Sequence, residues 1–277
     1  MTGEDGPPAE DEQYHIELSE GDLEGPVLLP GDPERVDVIA ECWEHAEELA
    51  DHREYRTIAG EYDGESIAAT STGIGSPSAA IAVEELARIG AESFLRVGSC
   101  GAIREHIDVG DLVITTGAVR QEGTSDEYVR KEYPAIAHEE VVTALVTAAE
   151  RLDYEYHLGV TCSTDSFYAG QARSGFDGFR AAAAQEQLDE LRSAGVLNFE
   201  MEASSILTLA GLYGLRAGAV CTVYANRVTG EFRTEGQRKA AETASLAAAL
   251  LGRMDRIKAA AGVDRWHAGL SLPETSE

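Results

Sequence analysis

Short apolar runs alternate along the chain with longer segments in which apolar positions recur at helical spacing. Strands are predicted where residues that favour β-structure cluster, at residues 27–29, 67–70, 94–97, 112–116, 157–161 and 217–223. Helical periodicity covers residues 77–89, 139–152, 202–212 and 235–258. An alternation of strands and helices of this kind predicts an α/β domain built in layers.

The same pattern predicts one domain with two tails. Residues 1–12, which are acidic, and residues 272–277 carry no apolar periodicity, so both ends are predicted to be disordered. We expect a single domain over residues 13–262 and a C-terminal tail over residues 263–277. Residues 176–194 contain an alanine run followed by a polar helical pattern, which favours an inserted, lid-like helix over a core element.

Charge and cysteine content limit the partners that we expect. The chain has 50 Asp and Glu against 22 Lys and Arg, a net charge of −28, which disfavours nucleic acid and indicates a solvated acidic surface that tolerates high salt. Cys42, Cys100, Cys162 and Cys221 lie far apart, so we expect neither a disulfide framework nor a zinc site. The N-terminus is acidic where a signal peptide would be basic and then apolar, and no apolar stretch is long enough to span a bilayer. We therefore expect a cytoplasmic protein with no membrane role.

Two glycine turns predict a phosphate site. Each adjoins an apolar run, and they read GDPER at residues 31–35 and RVGSCG at residues 96–101. Glycine lets the backbone approach an anion closely, and the amides and the guanidinium groups of Arg35 and Arg96 match phosphate oxygens.

A third glycine turn, STGIGSPS at residues 71–78, has part of a dinucleotide-binding pattern. Ser78 replaces the third glycine, and no acidic residue ends a following strand at the expected distance, so NAD binding is rejected. A strand-to-helix corner without a ligand is the other interpretation of this turn.

The loop at residues 163–173 brings an aromatic ring, a carboxamide and a guanidinium together. Gln171 can pair with a lactam edge, Arg173 can donate to a carbonyl oxygen, and Phe167 can stack on a ring or sugar. The loop is therefore suited to a flat heterocycle, with an ordinary polar surface loop as the alternative.

Glu200, Met201 and Glu202 precede a predicted helix and are suited to ribose. A carboxylate accepts two hydrogen bonds from a vicinal diol, and methionine covers the apolar sugar face. In the alternative interpretation, Glu200 and Glu202 only favour the positive end of the helix dipole.

Together these motifs resemble the nucleoside phosphorylase family, and within it the branch that cleaves uridine, from about residue 15 to residue 258. The matching segments are LPGDPERV at 29–36, HREY at 52–55, STGIG at 71–75, RVGSCGAI at 96–103, DSFY at 165–168, EME at 200–202 and NR at 226–227. The resemblance implies a three-layer α/β/α fold with a mixed, barrel-like central sheet. It also implies a homohexamer, built as a trimer of dimers, with active sites shared between subunits.

The resemblance assigns a role to each site residue. It implies that phosphate is held by Gly31, Arg35, Arg96 and Ser99 and by the neighbouring subunit's Arg53, that ribose is held by Met201, Glu202 and the neighbour's His15, and that the base meets Phe167, Gln171 and Arg173 within a wall that includes Tyr224 and Ala225. Taken alone, His15 and Arg53 would be interpreted as surface residues. The resemblance also implies a potassium site at Glu54, the Ile74 backbone and Ser78.

The implied reaction is reversible phosphorolysis of uridine to uracil and ribose 1-phosphate, in nucleoside salvage and catabolism. Phosphate is a co-substrate that attacks C1′ through an oxocarbenium-like transition state, and no cofactor or covalent enzyme intermediate is required. Arg96, Gln171 and Arg173 are the predicted catalytic residues, the latter two because negative charge develops on the departing uracil. The three phosphate arginines favour phosphorolysis over hydrolysis.

Several residues depart from the uridine-cleaving pattern. Tyr224 and Ala225 replace two aliphatic residues of the base pocket, Ala169 stands where proline is usual, and Ala172 stands where glutamate is usual. Purine-cleaving relatives usually carry a Ser-Asp pair just after the strand at 219–223, and its absence favours a pyrimidine. A purine nucleoside phosphorylase acting on guanosine or inosine is the alternative enzyme, and a nucleoside-binding protein without catalysis is a second alternative.

Overall fold

The computed structural model describes residues 12–272, so most of the predicted N-terminal tail and residues 273–277 lie outside it. The strands are β1 (Val27–Pro30), β2 (His45–His52), β3 (Tyr55–Tyr62), β4 (Glu65–Thr70), β5 (Ser93–Ala102), β6 (Leu112–Gln121), β7 (Ala135–Ile136), β8 (Tyr156–Thr164), β9 (Asn198–Glu200) and β10 (Arg216–Asn226). The α-helices are α1 (Glu34–Ala40), α2 (Ser76–Arg88), α3 (Thr124–Tyr128), α4 (Glu139–Arg151), α5 (Ala184–Ser193), α6 (Ala203–Tyr213) and α7 (Gln237–Ala261). A short 3-10 turn covers Phe176–Gly178.

The strands form a sheet in the order β10-β6-β8-β9-β5-β1-β4-β3-β2, with β7 beside β6. β10 also pairs with β5, which closes β5, β6, β8, β9 and β10 into a barrel. Both parallel and antiparallel pairs occur around the barrel, since β10 is parallel to β5 and antiparallel to β6. The predicted mixed, barrel-like sheet is therefore confirmed.

Successive side chains of the central strands enter two different hydrophobic cores. Leu28 and Leu95 pack in one core with α1, α4 and α7, whereas Val27, Leu29 and Phe94 pack in the other with α2 and α6. This is the two-residue alternation of a strand buried on both faces. Helices thus cover both sides of the sheet, and the predicted three layers are confirmed.

The strands and helices predicted from periodicity are all present. The β2–β3 hairpin was not predicted, because most of β2 is exposed and carries charged residues rather than an apolar pattern. The inserted, lid-like helix predicted over residues 176–194 does not form in the first half, which contains only a short 3-10 turn and the exposed Phe176 and Phe179. The second half forms α5, whose Leu188 and Leu191 are buried in a core cluster, so this helix is partly a core element.

The carboxyl ends of four strands define one edge of the sheet. β4 and β5 both run parallel to β1, and β10 runs parallel to β5, so their following turns emerge on the same side. Ligands of α/β sheets bind at such an edge. None of the helices formed by residues 12–272 combines the length and the apolar character needed to cross a membrane.

Candidate active site

A cavity of about 690 Å³ opens at this edge. It is lined by most of the residues to which the sequence assigns a ligand, and by several others. Its predicted residues are Gly31, Arg35, Ile74, Arg96, Ser99, Phe167, Gln171, Arg173, Glu200, Met201, Glu202, Tyr224 and Ala225. The fold therefore collects the GDPER turn, the RVGSCG segment and the heterocycle loop into one site. The prediction that residues 96–101 form a turn is wrong, because they belong to strand β5, which pairs with β10 along this stretch.

Arg35 and Arg96 form one part of the cavity wall. The Nη1 atom of Arg35 lies 3.4 Å from the carbonyl oxygen of Val97, and the Nη1 atom of Arg96 lies 3.4 Å from that of Leu29. A Cβ atom on Gly31 would come within 3.2 Å of Arg96 Nη1, so only glycine leaves the guanidinium its full space. The Nε atoms of both arginines are buried without a hydrogen-bond partner in the described part of the chain. Buried donors of this kind are available for an anion.

Arg96 forms an ion pair with Glu202 inside the cavity. The second carboxylate oxygen of Glu202 accepts a hydrogen bond of 2.6 Å from the backbone N–H of Gly75, and Glu200 lies 3.7 Å from Arg96 Nε. Burial alone would lower the pKa of Arg96, but the two carboxylates outweigh it and raise that pKa. Arg96 therefore stays charged although only 5% of its surface is exposed.

Glu200 caps the first turn of α6. Its carboxylate accepts hydrogen bonds of 2.9–3.0 Å from the backbone N–H groups of Glu202 and Ala203, and another from the Ser163 hydroxyl. Burial, followed by repulsion from Glu202, raises the pKa of Glu200 to about 7. The helix-dipole interpretation thus describes Glu200 well, and its contact with ribose stays a prediction.

Phe167, Gln171 and Arg173 form another part of the cavity wall, beside Gly101 of β5, where a Cβ atom would lie 3.4 Å from Arg173 Nη2. The Arg173 guanidinium lies 4.3 Å from the centre of the Phe167 ring, and its Nε atom lies 3.5 Å from the Gln171 side-chain oxygen. Ala172 between them adopts a φ of 54°, in the left-handed region that alanine rarely occupies. Burial lowers the pKa of Arg173, and the structure gives this guanidinium no carboxylate partner among residues 12–272.

Arg227 is a site residue to which the sequence analysis gave no role. It donates a hydrogen bond to the backbone oxygen of Gln171 and lies 5.5 Å from the Phe199 ring. Burial and the positive charge of Arg173 lower the pKa of Arg227 to about 10. The signal that could have identified it is its place in the NR motif, where the neighbouring Asn226 instead holds the turn by donating to the Arg104 and Ile107 carbonyls at 2.9 and 2.7 Å.

Tyr224 and Ala225 form a wall of the cavity together with Phe232. Ala225 pairs with Phe232 through an isolated β-bridge, which folds the segment after β10 back toward the opening. Both predicted wall residues therefore lie where a base can contact them. Phe232 was missed because it belongs to no recognised motif.

His15 and Arg53 do not line this cavity. They lie in a separate patch, where Arg53 Nη2 donates to the Tyr14 hydroxyl at 3.2 Å and the Tyr14 and His15 ring centres are 4.8 Å apart. Arg53 has a φ of 56° at the β2–β3 turn, and 58% of the Tyr14 surface is exposed. The two residues predicted to come from a neighbouring subunit are thus close together and outside the chain's own site.

The residues of the predicted potassium site are close together. A Cβ atom on Gly73 would lie 2.9 Å from Glu54 Cγ and 3.2 Å from the Ser78 hydroxyl oxygen. That hydroxyl in turn lies 3.4 Å from the Ile74 backbone oxygen. A carboxylate, a carbonyl and a hydroxyl therefore surround one turn, which is the kind of donor set that a hard cation prefers.

Comparisons with known proteins agree on one family. The sequence model of the Phosphorylase superfamily matches residues 27–253. A uridine phosphorylase of Thermococcus kodakarensis is 56% identical over 93% of this chain and 93% of its own length, and one of Klebsiella aerogenes is 43% identical over 83% and 92%. A guanosine phosphorylase of Halorubrum lacusprofundi is 45% identical over 79% of this chain and 85% of its own. The matched segment 27–253 contains every residue that lines the cavity.

Proposed function

The chain belongs to the Phosphorylase superfamily, and we propose that it is a uridine phosphorylase, which converts uridine and phosphate reversibly into uracil and ribose 1-phosphate. The observation that carries the proposal is the grouping of side chains in one cavity. Arg35 and Arg96 line it with buried Nε atoms that have no hydrogen-bond partner in the described chain, Arg96 pairs with Glu202, and Arg173 lies beside Gln171. We assign these three groups to phosphate, ribose and base.

In the proposed reaction, phosphate binds between Arg35, Arg96 and Ser99, next to the ribose held by Glu202, and approaches C1′ of the sugar from there. One phosphate oxygen forms a bond to C1′ while the bond from C1′ to uracil N1 breaks, and the electron pair of the broken bond leaves with the base. The positively charged sugar is stabilised by the phosphate itself, so the enzyme contributes chiefly by holding the reactants in line. Glu202 accepts hydrogen bonds from the ribose diol, and Met201 covers the sugar.

The departing uracil gains negative charge on its carbonyl oxygens O2 and O4. Arg173 is half-buried and has no carboxylate partner in the described chain, so its charge is available to the base. Because that charge develops during bond breaking, Arg173 and Gln171 stabilise the transition state more than the bound nucleoside. Arg227 supports them by holding the Gln171 backbone.

The proposal includes active sites that two subunits share. His15 and Arg53 lie outside the chain's own cavity and beside each other, which supports a dimer in which they complete the neighbour's ribose and phosphate sites. A homohexamer, as a trimer of such dimers, is the assembly that we expect. Potassium bound by Glu54, the Ile74 carbonyl and Ser78 would hold the turn after β4 in place.

The proposed setting is nucleoside salvage and catabolism in a cytoplasm rich in salt. The net charge of −28 supports a surface that remains hydrated at high ionic strength. Cys42, Cys100, Cys162 and Cys221 are free thiols in the structure, which suits a reducing compartment.

Guanosine is the second candidate substrate. A guanosine phosphorylase is among the similar proteins at 45% identity, and the small Ala225 leaves space in the wall beside Tyr224. Against it, residues 224–227 provide no acid to protonate a purine ring nitrogen. Uridine is therefore the preferred substrate of the proposal.

The test is release of free base from uridine, thymidine, inosine and guanosine, each with and without phosphate, in buffer of high salt concentration. Uracil release that requires phosphate is the expected result. Guanine release without uracil release would replace uridine by guanosine, and release without phosphate would indicate a hydrolase. Nucleoside binding without turnover of any substrate would support the non-catalytic alternative.

A further inference from the structure

The Glu85 carboxylate binds the N-terminal segment at three points. One oxygen accepts hydrogen bonds from the backbone N–H groups of His15 and Ile16 at 3.0 and 3.1 Å, and the other lies 2.6 Å from His15 Nδ1. Glu85 belongs to α2 and is 6% exposed, and no lysine or arginine within residues 12–272 forms an ion pair with it. The buried carboxylate thus holds both the His15 ring and the backbone of residues 15 and 16.

These contacts fix the chemistry of the imidazole ring. A carboxylate only accepts hydrogen bonds, so His15 Nδ1 must carry a proton. His15 Nε2 has no hydrogen-bond partner in the described residues. The ring is confined by edge contacts with Tyr14 and Tyr55, whose centres lie 4.8 and 6.1 Å away, and the His15 backbone oxygen lies 3.0 Å from His52 Nδ1. The histidine is held from several sides while one ring nitrogen stays available.

We propose that Glu85 is a positioning residue, which presents His15 Nε2 to the ribose 5′-hydroxyl of a nucleoside bound in the neighbouring subunit. The inference rests on the proposed function, because it requires a nucleoside substrate and a shared site. A carboxylate that orients a histidine through Nδ1 sets which tautomer the other nitrogen offers, as in metal sites and catalytic triads. The competing interpretation is that Glu85 only anchors residues 15 and 16 to α2.

The two interpretations differ in how an uncharged residue at position 85 affects different substrates. In Glu85→Gln, the amide oxygen can still accept from the backbone N–H groups, but its NH2 group then faces the Nδ1 proton. The ring must therefore rotate or change tautomer. If Glu85 acts through His15, the loss is confined to substrates that have a 5′-hydroxyl. If Glu85 is only an anchor, Glu85→Gln keeps the backbone contacts of residues 15 and 16, and the preference for substrates with a 5′-hydroxyl does not change.

The experiment measures kcat/KM of the full-length protein for uridine and for 5′-deoxyuridine, at saturating phosphate, in wild type, Glu85→Gln, His15→Gln and the double variant. We expect each single variant to lower the ratio of uridine to 5′-deoxyuridine about tenfold, which is the size of effect that one hydrogen bond to a charged or oriented group produces. The double variant should lower it no further, because the two residues act as one unit. Glu84→Gln is the matched control, since Glu84 lies on the same helix and contacts Arg88 and Tyr213 instead.

An unchanged ratio in Glu85→Gln, or an equal loss for both substrates, would overturn the proposal. If Glu85→Gln does not fold, Glu85→Asp is the second variant, since it keeps the charge on a shorter side chain. It should also lower the ratio of uridine to 5′-deoxyuridine kcat/KM. An unchanged ratio would count against Glu85 as a positioning residue. If wild type does not cleave uridine, the proposed function is wrong, whatever the role of Glu85. The same ratio is then measured with the nucleoside that is cleaved and its 5′-deoxy form, which tests Glu85 separately.

Discussion

Arg96 and Glu202 form a buried ion pair with each other, although we assign them to different substrates. Arg96 belongs to the phosphate end and Glu202 to the ribose, so the pair lies where the two substrates must meet. The arginine balances carboxylates that would otherwise repel phosphate, and it holds Glu202 in one orientation for the sugar. The ion pair between Arg96 and Glu202 thus orients one residue for phosphate and one for ribose.

The first prediction concerns this pair. Arg96→Ala is expected to lower kcat/KM for phosphate by about 10²- to 10³-fold, since a preorganised donor to developing charge is lost. It should also lower the free energy of unfolding by about 3–5 kcal/mol, because the buried Glu202 carboxylate is left without its cationic partner. Phosphate-dependent turnover and denaturant unfolding measure the two effects.

Arg96→Lys is the control for this prediction. Lysine keeps a positive charge near the carboxylates but lacks the guanidinium fork, so stability should be largely retained while phosphate use stays impaired. Normal phosphate kinetics in Arg96→Ala would contradict the assignment of the phosphate site.

The second prediction separates the base end from the phosphate end. Arg173→Ala should lower kcat for uridine by about 10²-fold and leave KM for phosphate within about twofold, because its charge is required only as the base departs. Steady-state kinetics with both substrates varied measures the difference. Arg180→Ala is the matched control, since Arg180 lies on the same segment, is exposed and donates a hydrogen bond to the Ser174 hydroxyl. Equal effects of the two substitutions would count against a specific role for Arg173.

The third prediction concerns subunits that share sites. Arg53→Ala and Arg173→Ala should each be strongly impaired alone, but a co-expressed mixture should recover activity. In each mixed dimer, the cavity that keeps Arg173 also receives an intact Arg53 from its neighbour. Turnover of differently tagged, doubly purified hybrids measures this recovery. Hybrids as inactive as their parents would mean that Arg53 serves the cavity of its own chain.

Much of the site could be predicted because its parts are local in sequence. Gly31 and Arg35 lie within five residues at the end of a strand, and Gln171 and Arg173 lie within three, so a short motif already contains the chemistry. Arg227 could not be assigned a role in the same way. Its contact with the Gln171 backbone spans 56 residues and exists only after the barrel closes.

The elements of the fold that could not be predicted likewise lack a local sequence signal. Periodicity identifies strands that bury at least one face, which is why β5 and β10 were predicted and the largely exposed β2 was not. The alternatives for the acidic pair could not be separated from spacing alone. Glu200 and Glu202 are two positions apart in the sequence, yet Glu200 caps α6 and Glu202 pairs with Arg96.

The fourth prediction follows from the raised pKa of Glu200. The folded protein holds this proton up to about pH 7, whereas the ordinary pKa of the group is 4.5, so the folded state binds more protons between these values. Raising the pH through this interval therefore lowers stability through Glu200. Glu200→Gln has no such proton to lose. The melting temperature of wild type should therefore fall relative to that of Glu200→Gln as the pH rises from 4.5 to 7, and the difference should stay constant above pH 7. Thermal unfolding at a fixed salt concentration measures this difference in melting temperature. Glu186→Gln is the control, because Glu186 is exposed. A difference between wild type and Glu200→Gln that does not depend on pH would contradict the raised pKa of Glu200.

The last prediction concerns the choice of base. Tyr224 and Ala225 form the cavity wall where the uridine-cleaving pattern has two aliphatic residues, and a change in an apolar wall alters discrimination by about 1–3 kcal/mol. The double substitution Tyr224→Ile with Ala225→Val should raise the ratio of uridine to guanosine kcat/KM by about tenfold to a hundredfold, because valine fills the space beside the base and isoleucine removes the hydroxyl. Tyr224→Phe isolates the hydroxyl from the ring and serves as the control. The ratio is measured by base release from mixtures of both nucleosides. If the ratio of uridine to guanosine kcat/KM falls instead, Tyr224 itself contacts the pyrimidine. This chain would then recognise uracil through Tyr224 and not through the two aliphatic residues of the uridine-cleaving pattern.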